Sequence, residues 1–289
     1  MNNKIVFYIR ALFHESIMSG DEKLNRPDIL KLTESFKKYS NISAEDYRKE
    51  LHNIQLKSLY KISDRIIYNK ATLPTSKTFR VVQENTINQL KQLNDDDWII
   101  PIDDDDWFSP DIRNLEFKKE CLNYWNTITF TESKPINVFE HRKNKELPYT
   151  NLTEEDEKMS KSLLSNCQCI PAYVIKYLIK INATDVLRLL LQRHSLVRGL
   201  IREEPIFQLN LKENIFDNVM SVYVKHAANI STFIRLCKFG KEQIYTKELY
   251  EQVVAPFKNA DYDNIKNFPE YLNWTKPLLG EFKKLNQLL

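Results

Sequence analysis

The sequence has little glycine, with only 4 in 289 residues. Loops that wrap nucleotide phosphates through backbone N–H groups need several glycines at fixed spacing, because only glycine lets the backbone approach so closely. Neither G-x-G-x-x-G nor a P-loop pattern occurs in the chain. We therefore do not expect a phosphate-binding loop of the glycine-rich kind.

Cysteine and long apolar runs are also scarce. The 4 cysteines are scattered, and Cys167-x-Cys169 has no second pair with which to complete a zinc site. No apolar run approaches the roughly 18 residues that cross a bilayer, and Arg10 interrupts the apolar amino-terminal stretch. We expect no disulfide framework, no zinc and no signal peptide. The expected location is the cytoplasm, and peripheral association with a membrane remains open.

Charge is distributed unevenly, although the net charge is only +3. Eight aspartates and no lysine or arginine lie between Gln92 and Ile112, so the remainder of the chain is strongly basic. An acidic segment within a basic chain suits a metal ion that carries a phosphate-bearing molecule. No basic cluster with interleaved aromatic residues is present, so we expect no nucleic-acid partner.

The most informative segment runs from Trp98 to Trp107. A short apolar run, Trp98 to Ile102, ends in Asp103, Asp104, Asp105 and Asp106. The run predicts a strand buried on both faces of a parallel or mixed sheet, and ligands of such sheets gather at the carboxyl ends of the strands. Oxygen ligands alone favour Mg²⁺ or Mn²⁺. The alternative is a solvated acidic loop, as most charge runs are.

The pattern Asp103-x-Asp105-Asp106-x-x-x-Pro110 after a strand resembles the D-x-D motif of nucleotide-sugar glycosyltransferases with the A-type fold. This resemblance implies that Asp103 contacts the donor ribose or the metal, and that Asp105 is a metal ligand. Because four aspartates are consecutive, Asp104 remains a candidate for donor binding, and Asp106 also remains open. The implied cofactor is Mn²⁺ or Mg²⁺, and the implied donor is a nucleotide-diphosphate sugar.

The same resemblance predicts the fold. We expect an α/β protein with a mixed, mostly parallel Rossmann-like sheet flanked by helices, followed by a helical C-terminal extension. Residues 1–237 would form the nucleotide-sugar-binding catalytic domain. Residues 238–289, rich in aromatic residues and broken by prolines, would pack on that domain or on a partner.

Four further residues are candidates for the site. Arg10 ends the first predicted strand, and Arg80 lies on a predicted helix before the acidic strand; both are candidates for donor binding. His226 follows a strand that includes Val222 and Val224, and the resemblance implies that it completes the metal or diphosphate site. Glu204, together with Asp106, is a candidate catalytic carboxylate, since an inverting reaction needs a general base.

The sequence predicts a metal-dependent glycosyltransferase that acts on an unknown glycan, lipid-linked or protein acceptor. Two alternatives remain open at this point. One is a metal-dependent nucleotidyl or phosphoryl transferase, which would use similar carboxylates but would normally carry a glycine-rich loop. The other is a non-catalytic acidic binding module. The sequence does not indicate the oligomeric state.

Overall fold

The computed structural model describes residues 4–11, 27–70, 81–130, 146–147, 162–192, 204–228, 246–265 and 268–289. The chain divides into two compact units that alternate along the sequence. The first unit comprises Met1–Leu12, Ser58–Thr127 and Leu163–Ser221, and the second comprises Phe13–Lys57, Ile128–Ser162 and Val222–Leu289. The predicted boundary after residue 237 lies outside the described residues and stays a prediction.

The described residues form eight strands and seven α-helices. The strands are β1 (Lys4–Ala11), β2 (Ile66–Lys70), β3 (Asp97–Asp103), β4 (Trp107–Phe108), β5 (Cys121–Phe130), β6 (Glu146–Leu147), β7 (Ser162–Pro171) and β8 (Lys212–Val224). The helices are α1 (Pro27–Tyr39), α2 (Ala44–Leu59), α3 (Glu84–Lys91), α4 (Ala172–Lys180), α5 (Thr184–Gln192), α6 (Lys247–Lys258) and α7 (Lys276–Asn286). None of these helices has the length and apolar character needed to cross a membrane.

The sheet has the strand order β2-β1-β3-β7-β5-β8-β4, and β6 pairs with β5. Strand β1 is parallel to both β2 and β3, whereas β3 is antiparallel to β7. The prediction of an α/β protein with a mixed sheet flanked by helices is confirmed, as is a helix near the C-terminal end.

Strand β3 is buried along almost its whole length, as the apolar run predicted. Ile99, Ile100 and Ile102 are each fully buried. Because successive side chains of a strand point to opposite faces, both faces of the sheet must be covered at this point. Ile99 belongs to a core that β1 and β3 share with α3, α4 and α5, together with Val6, Tyr8, Leu90, Ile175, Leu187 and Leu190.

The opposite face of β1 and β3 is covered by aromatic side chains. Phe7 packs against Phe108 with ring centroids 5.6 Å apart, and Phe108 lies 6.4 Å from Trp125. Trp98 packs against Phe117 at 5.2 Å. Burial of such large side chains is the main stabilising term of this face, and the rings fix where β4 leaves the acidic turn.

The second unit holds its C-terminal helix through a chain of buried polar groups. Tyr47 of α2 donates to Asn286 of α7 at 2.6 Å, and Asn286 donates to the hydroxyl of Tyr262 at 2.8 Å. At the start of α2, Ser43 accepts the backbone N–H of Asp46 at 3.0 Å, which caps the helix. Because buried polar groups need partners, these bonds select one orientation of α7.

An arginine–aspartate pair marks the beginning of β3. Arg65 donates two hydrogen bonds, each 2.8 Å long, to the two carboxylate oxygens of Asp97, which is fully buried. The backbone N–H of Asn94 adds a third bond at 2.9 Å. Burial alone would raise the pKa of Asp97, but Arg65, Asn94 and the charge of Lys4 together hold it below its usual range.

Replacing Asp97 by asparagine tests this pair. We expect Asp97→Asn to lower the free energy of unfolding by about 2 kcal/mol at neutral pH, because charged hydrogen bonds are lost and Arg65 is partly exposed to water. Since the folded-state pKa is lowered, the advantage of the wild-type protein is lost as the pH falls towards that value. Urea unfolding at neutral and acidic pH measures both effects. The exposed Glu116→Gln serves as control, and an unchanged stability of Asp97→Asn would contradict the assignment.

Candidate metal centre

The acidic turn lies where the order of the strands reverses. Strand β1 precedes β2 and β3 in the chain but lies between them in the sheet. In open sheets of this kind, such a reversal leaves a crevice at the carboxyl ends of the two strands, and ligands bind there. The register pairs Arg10 of β1 with Asp103 of β3, so both side chains belong to this edge.

The turn after β3 brings three carboxylates together. One carboxylate oxygen each from Asp103, Asp105 and Asp106 lies within 4.8 Å of the others. Asp106 also accepts the backbone N–H of Asp103 at 3.4 Å, which closes the turn. The next residue, Trp107, is fully buried and anchors the far end of the turn. The segment is therefore a folded part of the sheet edge, and the alternative of a solvated acidic loop is wrong.

The donor set of this cluster fits a hard divalent cation. All three groups offer oxygen, and Asp105 and Asp106 are only 6% and 3% exposed. Ligand oxygens around Mg²⁺ are about 3 Å apart when adjacent and about 4.2 Å apart when opposite, so the three oxygens would have to move closer together to coordinate one ion. A cation would also neutralise carboxylates that otherwise repel one another in a poorly solvated place.

Arg10 links the cluster to a helix end. Its Nε donates to Asp103 at 2.9 Å, and its Nη1 donates to the carbonyl oxygen of Leu191 at 3.4 Å. Leu191 lies in the last turn of α5, where the helix dipole favours a positive charge. Arg10 is only 5% exposed, so its charge acts with little screening by water. It compensates part of the negative charge of the cluster and holds one oxygen of Asp103.

Two glutamines beside Arg10 were not predicted from the sequence. Gln168 of β7 donates to the carbonyl oxygen of Leu190 at 3.2 Å, one residue before the carbonyl that Arg10 uses. Gln192 donates to the hydroxyl of Tyr8, and burial raises the pKa of Tyr8 well above its ordinary value. Both amides thus help to fix α5 on β1 and β7. No motif connects these glutamines with Arg10 in the sequence, and only the fold brings them together.

The carboxyl group of Asp106 is strongly perturbed by its surroundings. Burial raises its pKa well above the ordinary value, and the nearby charges of Asp105 and Asp103 raise it further. Arg10 and the N–H of Asp103 act in the opposite direction but do not outweigh these effects. Without a cation, Asp106 therefore holds a proton to a higher pH than an ordinary aspartate does.

Among the described residues, none of the other predicted site residues belongs to the converging cluster. Asp104 is 2% exposed, but it is not among the three residues whose oxygens converge. Glu204 is exposed in a turn of the first unit. His226 belongs to the second unit, where its buried ring lies 6.1 Å from that of Tyr47. Arg80 lies outside the described residues. The functional roles of all four stay predictions.

No family model matches the chain, and no curated protein shows significant similarity to it. We therefore infer function from the strand order, the position of the acidic turn and the chemistry of its side chains. Of these three, the position at the reversal of strand order is independent of the acidic composition.

Removing the charge of Asp106 should stabilise the metal-free protein. Asparagine keeps an oxygen that can accept the N–H of Asp103, but it cannot ionise. Because the folded-state pKa of Asp106 is raised, the wild-type protein loses stability as the pH rises through that value, and Asp106→Asn does not. We expect the Tm of Asp106→Asn in EDTA to exceed that of the wild type, with a gap that widens from pH 5 to pH 8. A gap that narrows with rising pH would show that Asp106 is stabilised as an anion.

Proposed function

We propose that this protein is a divalent-metal-dependent glycosyltransferase that moves a sugar from a nucleotide-diphosphate donor to an acceptor hydroxyl. The observation that carries the proposal is the convergence of Asp103, Asp105 and Asp106 beside Arg10, at the carboxyl end of a central strand. The three carboxylates provide ligands for a metal that in turn holds a diphosphate. The D-x-D pattern in the same turn supports the identity of the donor.

The proposal includes the A-type glycosyltransferase fold. Its support is the order β2-β1-β3, in which three parallel strands place a ligand crevice between β1 and β3. The burial of β3 on both faces makes the acidic turn rigid on its sheet side. Rigid attachment of this kind suits a metal site, since the protein must hold the ligand side chains close together whether or not the ion is bound.

The residues of the cluster would have different roles in this reaction. Asp105 would bind the metal, and Asp103 would contribute its second oxygen to the metal or contact the donor ribose. A bound Mn²⁺ or Mg²⁺ supplies Lewis-acid stabilisation of the diphosphate that leaves as the glycosidic bond breaks. Arg10 fixes the direction of the Asp103 carboxylate and lowers the repulsion that an incoming diphosphate would meet.

A carboxylate that accepts the proton of the acceptor hydroxyl completes an inverting reaction. Asp106 is the first candidate, because it lies in the cluster, and in this role it would leave the metal to Asp103 and Asp105. Glu204 is the second candidate, and it is exposed in the first unit. His226 is proposed to strengthen the metal or diphosphate site, as the sequence resemblance implies.

Calorimetry tests the metal-dependent binding of the donor. We expect nucleoside diphosphates to bind wild-type protein with Mn²⁺ and to lose that binding in EDTA. Asp105→Asn should weaken metal-dependent binding by more than the roughly 10- to 100-fold that changes outside the coordination shell cost. The exposed Glu120→Gln is the matched control and should bind as the wild type does. Equal affinity in Mn²⁺ and EDTA would refute the metal site.

Turnover of a panel of nucleotide sugars with Mn²⁺ tests the catalytic roles. We expect donor hydrolysis or transfer with at least one sugar, and Asp106→Asn should lower kcat by about 10²- to 10⁴-fold, as loss of a general base does. Glu204→Gln should leave kcat close to the wild-type value. The reverse result would move the role of base to Glu204. A protein that binds donor with metal but turns over none of them would be a binding module.

A further inference from the structure

A basic hollow lies at the other end of β1. The cavity has a volume of about 620 Å³ and is open to solvent. The polar and aromatic side chains that line it include Lys4, Tyr60, Asp64, Arg65, Asn94 and Arg113. All of them belong to the first unit, and they come from four separate segments of the chain. We refer to this cavity as the basic hollow.

The cationic side chains of the basic hollow differ in whether their N–H groups are already hydrogen-bonded within the protein. Arg65 donates hydrogen bonds from both of its terminal nitrogens to Asp97, so it serves mainly as part of the cavity wall. Arg113 donates its Nε to the carbonyl oxygen of Ile62 at 2.7 Å, which fixes the plane of the guanidinium group. Within the described residues, its Nη groups have no hydrogen-bond partner, and neither has the ammonium group of Lys4.

The charge balance of the basic hollow is positive. Three cationic side chains line it, against one carboxylate, Asp64. If the buried Asp97 is taken to cancel Arg65, then Lys4 and Arg113 still face a single negative group. Phosphate groups bind where several N–H donors with positive charge converge, and arginine in a fixed plane is well suited to them. The hollow therefore favours a small anion that carries several oxygens.

The basic hollow is distinct from the metal centre. Lys4 is the first residue of β1, and Arg10 lies near the end of the strand. In the sheet register, Lys4 pairs with Asp97 and Arg10 pairs with Asp103, at opposite ends of β3. Arg10 lies six positions after Lys4 in extended chain, which corresponds to about 20 Å. The diphosphate of a donor bound at the acidic turn would not extend as far as the hollow. The hollow therefore takes a ligand of its own.

We propose that the basic hollow binds the phosphate group of a small molecule through Lys4 and Arg113. The volume lies within the range of about 300 to 1,000 Å³ that small-molecule sites occupy. The exposed ring of Tyr60 offers a flat surface, and Asn94 and Asp64 offer hydrogen-bonding groups, for the remainder of such a molecule. This proposal does not depend on the function of the acidic turn.

Binding of inorganic phosphate and of glucose 6-phosphate tests the proposal on the full chain. Titration calorimetry in EDTA and at constant ionic strength excludes a contribution from metal at the acidic turn. We expect saturable binding by the wild type, and about tenfold weaker binding by Lys4→Gln and by Arg113→Gln, because each loses one charged hydrogen bond. Lys61→Gln removes the same charge from an exposed residue beside the lining, and it should bind as the wild type does.

The two ligands distinguish the source of the phosphate. Equal affinity for both would identify free phosphate, and tighter binding of glucose 6-phosphate would identify a phosphorylated metabolite. Arg113→Lys keeps the charge and should retain more binding than Arg113→Gln, while circular dichroism verifies that each variant is folded. The proposal would be overturned if neither inorganic phosphate nor glucose 6-phosphate bound. Equal losses in Lys61→Gln and Lys4→Gln would also overturn it, because they would show an effect of net charge alone.

Discussion

The parallel pairing of β1 with β3 is the constraint on which the first unit depends. In this register Arg10 lies opposite Asp103, to which it donates a hydrogen bond, and Lys4 lies opposite Asp97, whose pKa its charge helps to lower. A slip by one residue would move the buried side chains of one strand to the opposite face, where they would meet different packing partners, and would separate these charges. The hydrophobic and electrostatic preferences therefore select the same alignment, and agreement of this kind is what makes a sequence specify one structure.

The acidic turn carries a cost that the surrounding structure has to offset. Carboxylates that are buried side by side are destabilising, and the raised pKa of Asp106 is a sign of this. The burial of Trp107 and Phe108 on the far side of the turn and of β3 on the near side holds the segment in place. Local destabilisation that the rest of the fold tolerates is common where a chain binds ions.

The sequence predicted those features that depend on short segments. The strand that ends at Asp103, the first strand up to Arg10 and the strand before His226 are all present, because an apolar run with polar ends is a local signal. Partners that are distant in the sequence could not be foreseen. Gln168 meets the end of α5 only because β7 runs beside β3, and the ion pair of Arg65 with Asp97 depends on the sheet register. The 3-10 turn Pro110–Asn114, which Ser109 caps, likewise has no clear signal in the sequence before β5 begins.

Under the proposed function, the carboxylates at the carboxyl ends of β1 and β3 would affect the order in which ligands bind. An anionic nucleotide that approaches this edge of the sheet would meet Asp103, Asp105 and Asp106 before any cation has bound. Repulsion at that edge would slow its entry, whereas a divalent ion would be attracted. The favoured order would then have the ion enter first and the diphosphate second. In steady-state kinetics, nucleotide affinity would then rise with metal concentration until the ion site is saturated.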